Sequence, residues 1–274
     1  MSKTFQWIGS EQHYVDTIDV MNIGHITIGR FGGNSSAGQY KNEDGCLVWI
    51  DDENNGEFTV LLDAHLTAES ALLVLKTIEG LEVPLKSSFT LPPKECFTQL
   101  SSVLLSTFQS TEFKEKCNTV QGETACLIVA RKDKYLWWLS IGDCILHIHH
   151  PELAKLNEYG QNQRSFFEWI GYVNTFELEV PCYSEGRKEL RKGKNHIFLT
   201  TDGLTECPHT TFDNPIEIFS TYKDCSVSEG TLNLLTEIKE KSVRDSTTII
   251  SWKVEVTEEG TMPSDVKRKV DLYD

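Results

Sequence analysis

The segment HIFLTTDGLTE, residues 196 to 206, is an apolar run that leads directly into an aspartate and a glycine. A short apolar run bounded by turn residues is typical of a buried β-strand. Asp202 is therefore predicted at a strand end. Three further aspartates hold equivalent places, because Asp44 precedes CLVWI, Asp63 follows TVLL and Asp245 precedes STTIISW.

These four strand ends together predict a shared metal site. A strand end on a rigid scaffold holds its side chain on one rim, and hard cations such as Mg²⁺ and Mn²⁺ prefer carboxylate oxygens. Any single aspartate has a simpler structural explanation, because aspartate disfavours strand interiors and favours turns. The metal site is therefore predicted from the joint pattern.

The rest of the chain alternates between strand and helix patterns. Strands are predicted at residues 46–50, 58–65, 196–201 and 246–256, with three short strands between 124 and 150. Helices are predicted after Thr67, after Pro92-Pro93 and over residues 229–241. The pair Asn55-Gly56 predicts a hairpin between the first two strands. The segment 151–195 has no firm assignment.

Size and composition are those of an ordinary globular protein. The 274 residues are 39% hydrophobic and 24% charged, which is enough to bury a sizeable core. No change in composition separates two cores. We therefore expect one domain over residues 1–256, followed by a charged tail over residues 257–274.

Charge and cysteine content indicate which classes of partner and which cellular compartment to expect. Acidic residues outnumber basic ones by 41 to 26, and a net charge of −15 disfavours nucleic-acid binding. The eight cysteines form no CxxC pair, and the chain has no signal-peptide pattern and no apolar stretch of membrane-spanning length. We expect a cytoplasmic monomer with reduced thiols and no membrane contact.

Six motifs in order carry a resemblance to a known family. They are KNEDG, LLDAH, GETACLIVA, LSIGDC, FLTTDGLTE and RDSTTIISW, and they span nearly the whole chain. The set resembles the metal-dependent serine/threonine protein phosphatases of the PPM or type 2C family, in a bacterial-type, single-domain form. The resemblance implies an α+β fold, a four-layer α/β/β/α sandwich with two central antiparallel sheets.

The resemblance also assigns roles in a centre of two Mn²⁺ or Mg²⁺ ions. It implies metal ligation by the following groups: Asp44, Asp63, Asp202, Asp245 and the main-chain carbonyl of Ala64. Asp143 would correspond to a possible third, weaker metal site, and His65 would be the general acid. The implied reaction is hydrolysis of phosphoserine or phosphothreonine in a phosphorylated protein substrate by a water activated between two metals.

One position departs from the family pattern. Gln39 stands where the family usually has an arginine that binds phosphate bidentately. Lys41 or Arg30 is the candidate replacement. Two alternative functions stay open: a pseudophosphatase that binds a phosphoprotein with weak turnover because of Gln39, and a small-molecule phosphoesterase.

Overall fold

The computed structural model describes residues 3–261 and contains two antiparallel sheets. The strands of the first sheet are β1 (Lys3–Ile8), β4 (Gly45–Asp51), β5 (Gly56–His65), β6 (Glu123–Lys132), β7 (Tyr135–Ile141), β9 (Ile170–Gly171) and β10 (Ser184–Glu189). Their spatial order is β1-β4-β5-β6-β7-β10, and β9 pairs with the first two residues of β6.

The second sheet has five strands in the order β2-β3-β12-β11-β8. They are β2 (Ile18–Ile23), β3 (Ile26–Phe31), β8 (Ile145–His149), β11 (Gly193–Thr200) and β12 (Thr247–Val256). The sheet therefore combines strands from both ends of the chain.

Helices cover the outer faces of both sheets. They are α1 (Glu69–Gly80), α2 (Glu82–Ser88), α3 (Pro93–Phe108), α4 (Thr111–Cys117), α5 (Pro151–Ala154), α6 (Pro215–Ser220) and α7 (Val227–Glu240). Helices α1 to α4 pack on the first sheet, and α6 and α7 pack on the second. None of the described helices is long and apolar enough to span a membrane.

The strand sequences are apolar on both faces because both faces are buried. In β4, Leu47 and Trp49 pack under the first helical layer, whereas Val48 and Ile50 point between the sheets. This explains why CLVWI shows no polar alternation. A third apolar cluster joins the second sheet to α7. The four-layer α/β/β/α sandwich predicted from the resemblance is confirmed.

The predicted elements agree with the structure within a few residues. The helix predicted over 229–241 begins earlier, at Val227, because Ser226 and Glu229 form a capping box. Segment 151–195, which the sequence left unassigned, contains α5, β9 and β10 joined by irregular chain. Residues 262–274, most of the predicted tail, lie outside the described residues.

The antiparallel registers bring the four strand-end aspartates to one end of the sandwich. Gly45 at the start of β4 pairs with Leu62, next to Asp63. In the second sheet, the Thr201 amide donates to the Thr248 carbonyl at 3.1 Å, which aligns the end of β11 with the start of β12. We call this end of the sandwich the metal rim.

Candidate metal centre

Three buried aspartates form the centre of the metal rim. Carboxylate oxygens of Asp63, Asp143 and Asp202 lie within 4.8 Å of one another. Their side chains come from the end of β5, the turn after β7 and the end of β11. Asp63 Oδ2 and Asp143 Oδ1 are buried and have no hydrogen-bond partner among residues 3–261. Such orphaned acceptors fit a cation site.

Asp44 is buried beside this group and is held by hydroxyls. Thr248 Oγ1 and Thr201 Oγ1 donate to Asp44 Oδ2 at 2.6 Å and 3.3 Å, and Ser246 Oγ donates to Oδ1 at 3.0 Å. Burial raises the pKa of Asp44 to about 8, and the nearby carboxylate of Asp245 adds to the shift. The hydroxyls of Thr248 and Ser246 oppose that shift by stabilising the ionised carboxylate.

The electrostatics of the metal rim require positive charge. Burial, followed by the neighbouring carboxylates, raises the pKa of Asp63 well above its usual value. Burial and the charges of Asp245 and Asp143 raise the pKa of Asp202 to about 7. Within residues 3–261, no lysine or arginine forms an ion pair with these buried aspartates. Divalent cations fit this donor set, because they would compensate several buried carboxylates at once.

A cavity of about 340 Å³, which we call the rim cavity, opens beside Asp63 of this group. Its lining comprises Gln39, Lys41, Glu43, Asp63, Ala64, His65, Leu66, Arg244 and Asp245. His65 and Asp245 are exposed there. Desolvation by the surrounding walls raises the pKa of Asp245, while His65 and Arg244 act in the opposite direction. The cavity therefore combines carboxylates that can bind cations, Asp63 and Asp245, with basic side chains that can bind an anion, His65 and Arg244.

The predicted site residues occupy distinct positions around this cavity. Asp63, Ala64, His65 and Asp245 line it, and Asp202 and Asp143 meet Asp63 at its base. Asp44 lies further inside. The ligand roles of these residues and the acid role of His65 stay predictions. The ring of Trp169, from the segment that the sequence left unassigned, lies 6.3 Å from the His65 ring.

Arg30 was the wrong candidate for phosphate binding. It is only 4% exposed, and its Nε donates to Asp19 at 3.1 Å. Its guanidinium also packs over the rings of Phe5, Trp7 and Tyr14. Alternation along β3 turns this side chain into the interior, so Arg30 does not line the rim cavity.

Lys41 lines the rim cavity, but its ammonium group already has partners. It donates to the Leu66 carbonyl at 2.6 Å and forms an ion pair with Glu43, whose side chain is 10% exposed. The sequence reasoning missed Glu43 and Arg244. Each directly precedes a predicted aspartate, and that adjacency was the available signal.

A larger cavity, about 650 Å³, lies at the opposite end of the sandwich. Its most buried charged groups, Glu57 and Arg131, form an ion pair with each other, and His25 Nε2 lies 2.9 Å from Glu57 Oε1. Because these charges are already compensated, this cavity offers no free acceptor set comparable to the metal rim.

Solved structures of bacterial phosphatases share this fold. A single-site variant of a bacterial serine phosphatase matches with a TM-score of 0.60 and 15% identity, over 93% of this chain and 98% of that chain. Stp1, the serine/threonine phosphatase from Staphylococcus aureus, matches with a TM-score of 0.58 and 15% identity, over 93% and 96%. The catalytic domain of the phosphatase PstP, in complex with two manganese ions, gives 0.56 and 12%, over 94% and 100%.

No protein-family model and no curated protein sequence matches this chain significantly. At these identities the structural matches establish the fold. The chain has the fold of the bacterial serine/threonine phosphatases, and the resemblance drawn from its six motifs is confirmed at that level.

Proposed function

We propose that this protein is a metal-dependent phosphatase that hydrolyses phosphoserine or phosphothreonine in protein substrates with two Mn²⁺ or Mg²⁺ ions. The observation that carries the proposal is the buried group of Asp63, Asp143 and Asp202. Asp63 Oδ2 and Asp143 Oδ1 have no hydrogen-bond partner among the described residues, and Asp63 also lines the open rim cavity. The fold shared with serine/threonine phosphatases supports the same reaction class.

The proposed metal-holding groups come from both sheets. They are Asp63, Asp143, Asp202, Asp245, Asp44 and the main-chain carbonyl of Ala64. When bound, the cations supply positive charge that lowers the pKa of water and stabilises phosphoryl oxygens. The protein's part is to hold these carboxylates rigidly, since most lie at the ends of paired strands. The resemblance favours two ions and assigns Asp143 to a third, weaker metal site.

His65 is the proposed general acid. It ends β5 and is exposed on the wall of the rim cavity. A protonated imidazole is a common general acid, so His65 can give a proton to the departing serine or threonine oxygen. As the bond from phosphorus to that oxygen breaks, a water oxygen forms the new bond to phosphorus. The products are inorganic phosphate and a free side-chain hydroxyl.

The surroundings of the cavity favour a protein substrate. Leu66, which lines the cavity, is 67% exposed, and the nearby Tyr40 is 75% exposed. The segment after α5 adds Phe167, which is 82% exposed and packs edge-on against Trp169. Exposed apolar side chains around a phosphate site suit contact with a polypeptide.

The test is phosphate release from a phosphothreonine peptide with and without Mn²⁺, comparing the native protein with Asp202→Asn. We expect Mn²⁺-dependent turnover that the substitution abolishes while the circular dichroism spectrum is retained. Asp213→Asn, a change at an exposed aspartate outside the rim cavity, is the matched control. Normal turnover by Asp202→Asn would contradict the proposed centre.

Gln39 supports a second candidate, a pseudophosphatase that binds a phosphorylated partner with weak turnover. Tight Mn²⁺ binding without phosphate release would favour it. A small-molecule phosphoesterase is the third candidate, and a panel of phosphopeptides and small phosphate esters at matched concentrations separates it from the first.

The remaining expectations are also proposals. We propose one catalytic domain over residues 1–256 that acts as a cytoplasmic monomer in phosphorylation signalling. Sedimentation of the purified protein and limited proteolysis near residue 257 test the monomer and the domain boundary.

A further inference from the structure

The rim cavity lacks the arginine that was expected at position 39. Gln39 carries an uncharged amide, and its own backbone amide donates to the Asn34 carbonyl at 3.2 Å. A phosphate dianion that leaves water needs charged donors to replace its hydration. Among residues 3–261, the lysine and arginine side chains that line this cavity are Lys41 and Arg244.

Lys41 is poorly placed to serve as that donor. Its ammonium group pairs with Glu43 and with the Leu66 carbonyl. Moving the ammonium toward a substrate would leave the nearly buried Glu43 carboxylate without its partner. The free-energy cost of leaving such a carboxylate unpaired exceeds the free energy that a surface ion pair contributes.

Arg244 differs from the other described arginines in its hydrogen bonding, although its charge acts on the adjacent Asp245. Their partners are Asp19 for Arg30, Glu57 for Arg131, the Asp143 carbonyl for Arg164, Thr98 for Arg187 and Glu152 for Arg191. The Arg244 guanidinium makes no hydrogen bond or ion pair within the part of the chain that the structure describes. It is exposed on the cavity wall.

Gly33 places Arg244 directly beside Gln39. A Cβ atom on Gly33 would lie 2.1 Å from the Arg244 main-chain oxygen and 3.0 Å from Gln39 Cγ, so both residues surround the same point. Gly33 has φ +79°, a conformation that favours glycine. The Asn34 amide also donates to the Val243 carbonyl at 2.9 Å, which ties the two loops together.

We propose that Arg244 is the phosphate-binding residue of this site and takes the place of the arginine missing at position 39. The inference rests on the proposed phosphatase function. A planar guanidinium can donate two parallel hydrogen bonds to phosphate oxygens, and a lysine cannot reproduce that geometry. Arg244 directly precedes Asp245, and both residues line the rim cavity.

The first test measures KM and kcat with a phosphothreonine peptide for the native protein, Arg244→Ala and Arg244→Lys. We expect Arg244→Ala to raise KM about tenfold to a hundredfold, with a smaller change in kcat, because one charged hydrogen-bonding group is lost. Arg244→Lys should recover only part of the loss. Arg187→Ala removes an arginine remote from the rim cavity and should leave both constants unchanged.

A rescue experiment tests the positional argument. Because Gln39 and Arg244 adjoin one point, Gln39→Arg should restore the low KM in the Arg244→Ala background. In the same background Gln109→Arg, a change at the exposed C-cap residue of α3, should not restore it. Failure of the rescue together with an unchanged KM in Arg244→Ala would overturn the proposal.

Binding of inorganic phosphate gives a readout that does not depend on turnover. Calorimetry on the Mn²⁺-loaded protein should show phosphate affinity at least tenfold weaker in Arg244→Ala, with Mn²⁺ affinity unchanged. If the native protein binds phosphate but releases none from peptides, the phosphatase proposal fails while the role of Arg244 is still measured. Equal phosphate affinity in native and variant proteins would overturn the role of Arg244.

Discussion

Thr248 Oγ1 donates a hydrogen bond of 2.6 Å to Asp44 Oδ2 and so links the two sheets at the metal rim. Asp44 precedes β4 in the first sheet, and Thr248 lies near the start of β12 in the second. The acceptor is fully buried. The bond therefore fixes an acidic group of the proposed centre against the opposite sheet.

Removing this donor should weaken metal binding. We expect Thr248→Val to lower Mn²⁺ affinity about tenfold or more, because groups that orient the ligands of a metal typically contribute that much. Calorimetric titration with Mn²⁺ is the measurement. Thr247→Val is a matched control, since the Thr247 hydroxyl is buried with no partner among the described residues. Equal losses in both variants would argue against a specific role for Thr248.

The pKa shifts predict how pH affects the metal-free protein. Burial raises the pKa of Asp44 to about 8 and that of Asp202 to about 7 from a usual 3.8. The folded state then holds protons that the unfolded chain has released. The contribution of these protonated carboxyls to the free energy of unfolding is fully present below the unfolded pKa. It is lost as the pH rises through the folded pKa values.

We therefore expect the free energy of unfolding in EDTA to fall between about pH 5 and about pH 8, by up to about 1.4 kcal/mol per pH unit for each retained proton. Mn²⁺ affinity should rise over the same interval, because protons compete with the cation. Urea denaturation at several pH values measures the first effect. A slope that is unchanged in Asp44→Asn and Asp202→Asn would refute this assignment.

Asp143 should contribute to metal binding together with Asp63 and Asp202. Because its oxygen lies within the 4.8 Å group, we expect Asp143→Asn to weaken Mn²⁺ binding at least tenfold or to reduce the number of bound ions. Calorimetry gives both quantities, and Asp213→Asn is again the control. Unchanged stoichiometry and affinity would place Asp143 outside the functional centre.

The ion pair of Glu57 and Arg131, at the opposite end of the sandwich, should affect stability but not activity. Burial by itself would raise the pKa of Glu57, but hydrogen bonds from His25 and Arg131 outweigh it and hold that pKa below its usual value. We expect Glu57→Gln to cost about 3–5 kcal/mol of unfolding free energy, since it leaves Arg131 buried without its partner. Phosphate release per folded molecule should stay the same.

A double substitution separates the attraction between Glu57 and Arg131 from the free-energy cost of burying their charges. Glu57→Leu combined with Arg131→Leu removes both charges, so it should be less destabilising than Glu57→Gln alone. Chemical denaturation of the three proteins provides the comparison. A double variant less stable than the single one would show that the pair contributes more than it costs to bury.

The sequence by itself determined the strands, the main helices and the aspartates at strand ends. Two-sided burial gives continuous apolar runs such as CLVWI, and the Asn55-Gly56 pair marks the hairpin between β4 and β5. These signals are local, because they depend on neighbours a few residues apart. The ordered motifs extended them to the four-layer fold.

Which charged side chains line the rim cavity follows from the tertiary packing. Strand alternation points Arg30 inward to Asp19, and Glu43 engages Lys41. The contact through Gly33 that sets Gln39 beside Arg244 joins residues about two hundred positions apart. No local pattern encodes such a contact, because it arises from the close packing of two loops whose distance is fixed only when both sheets have formed.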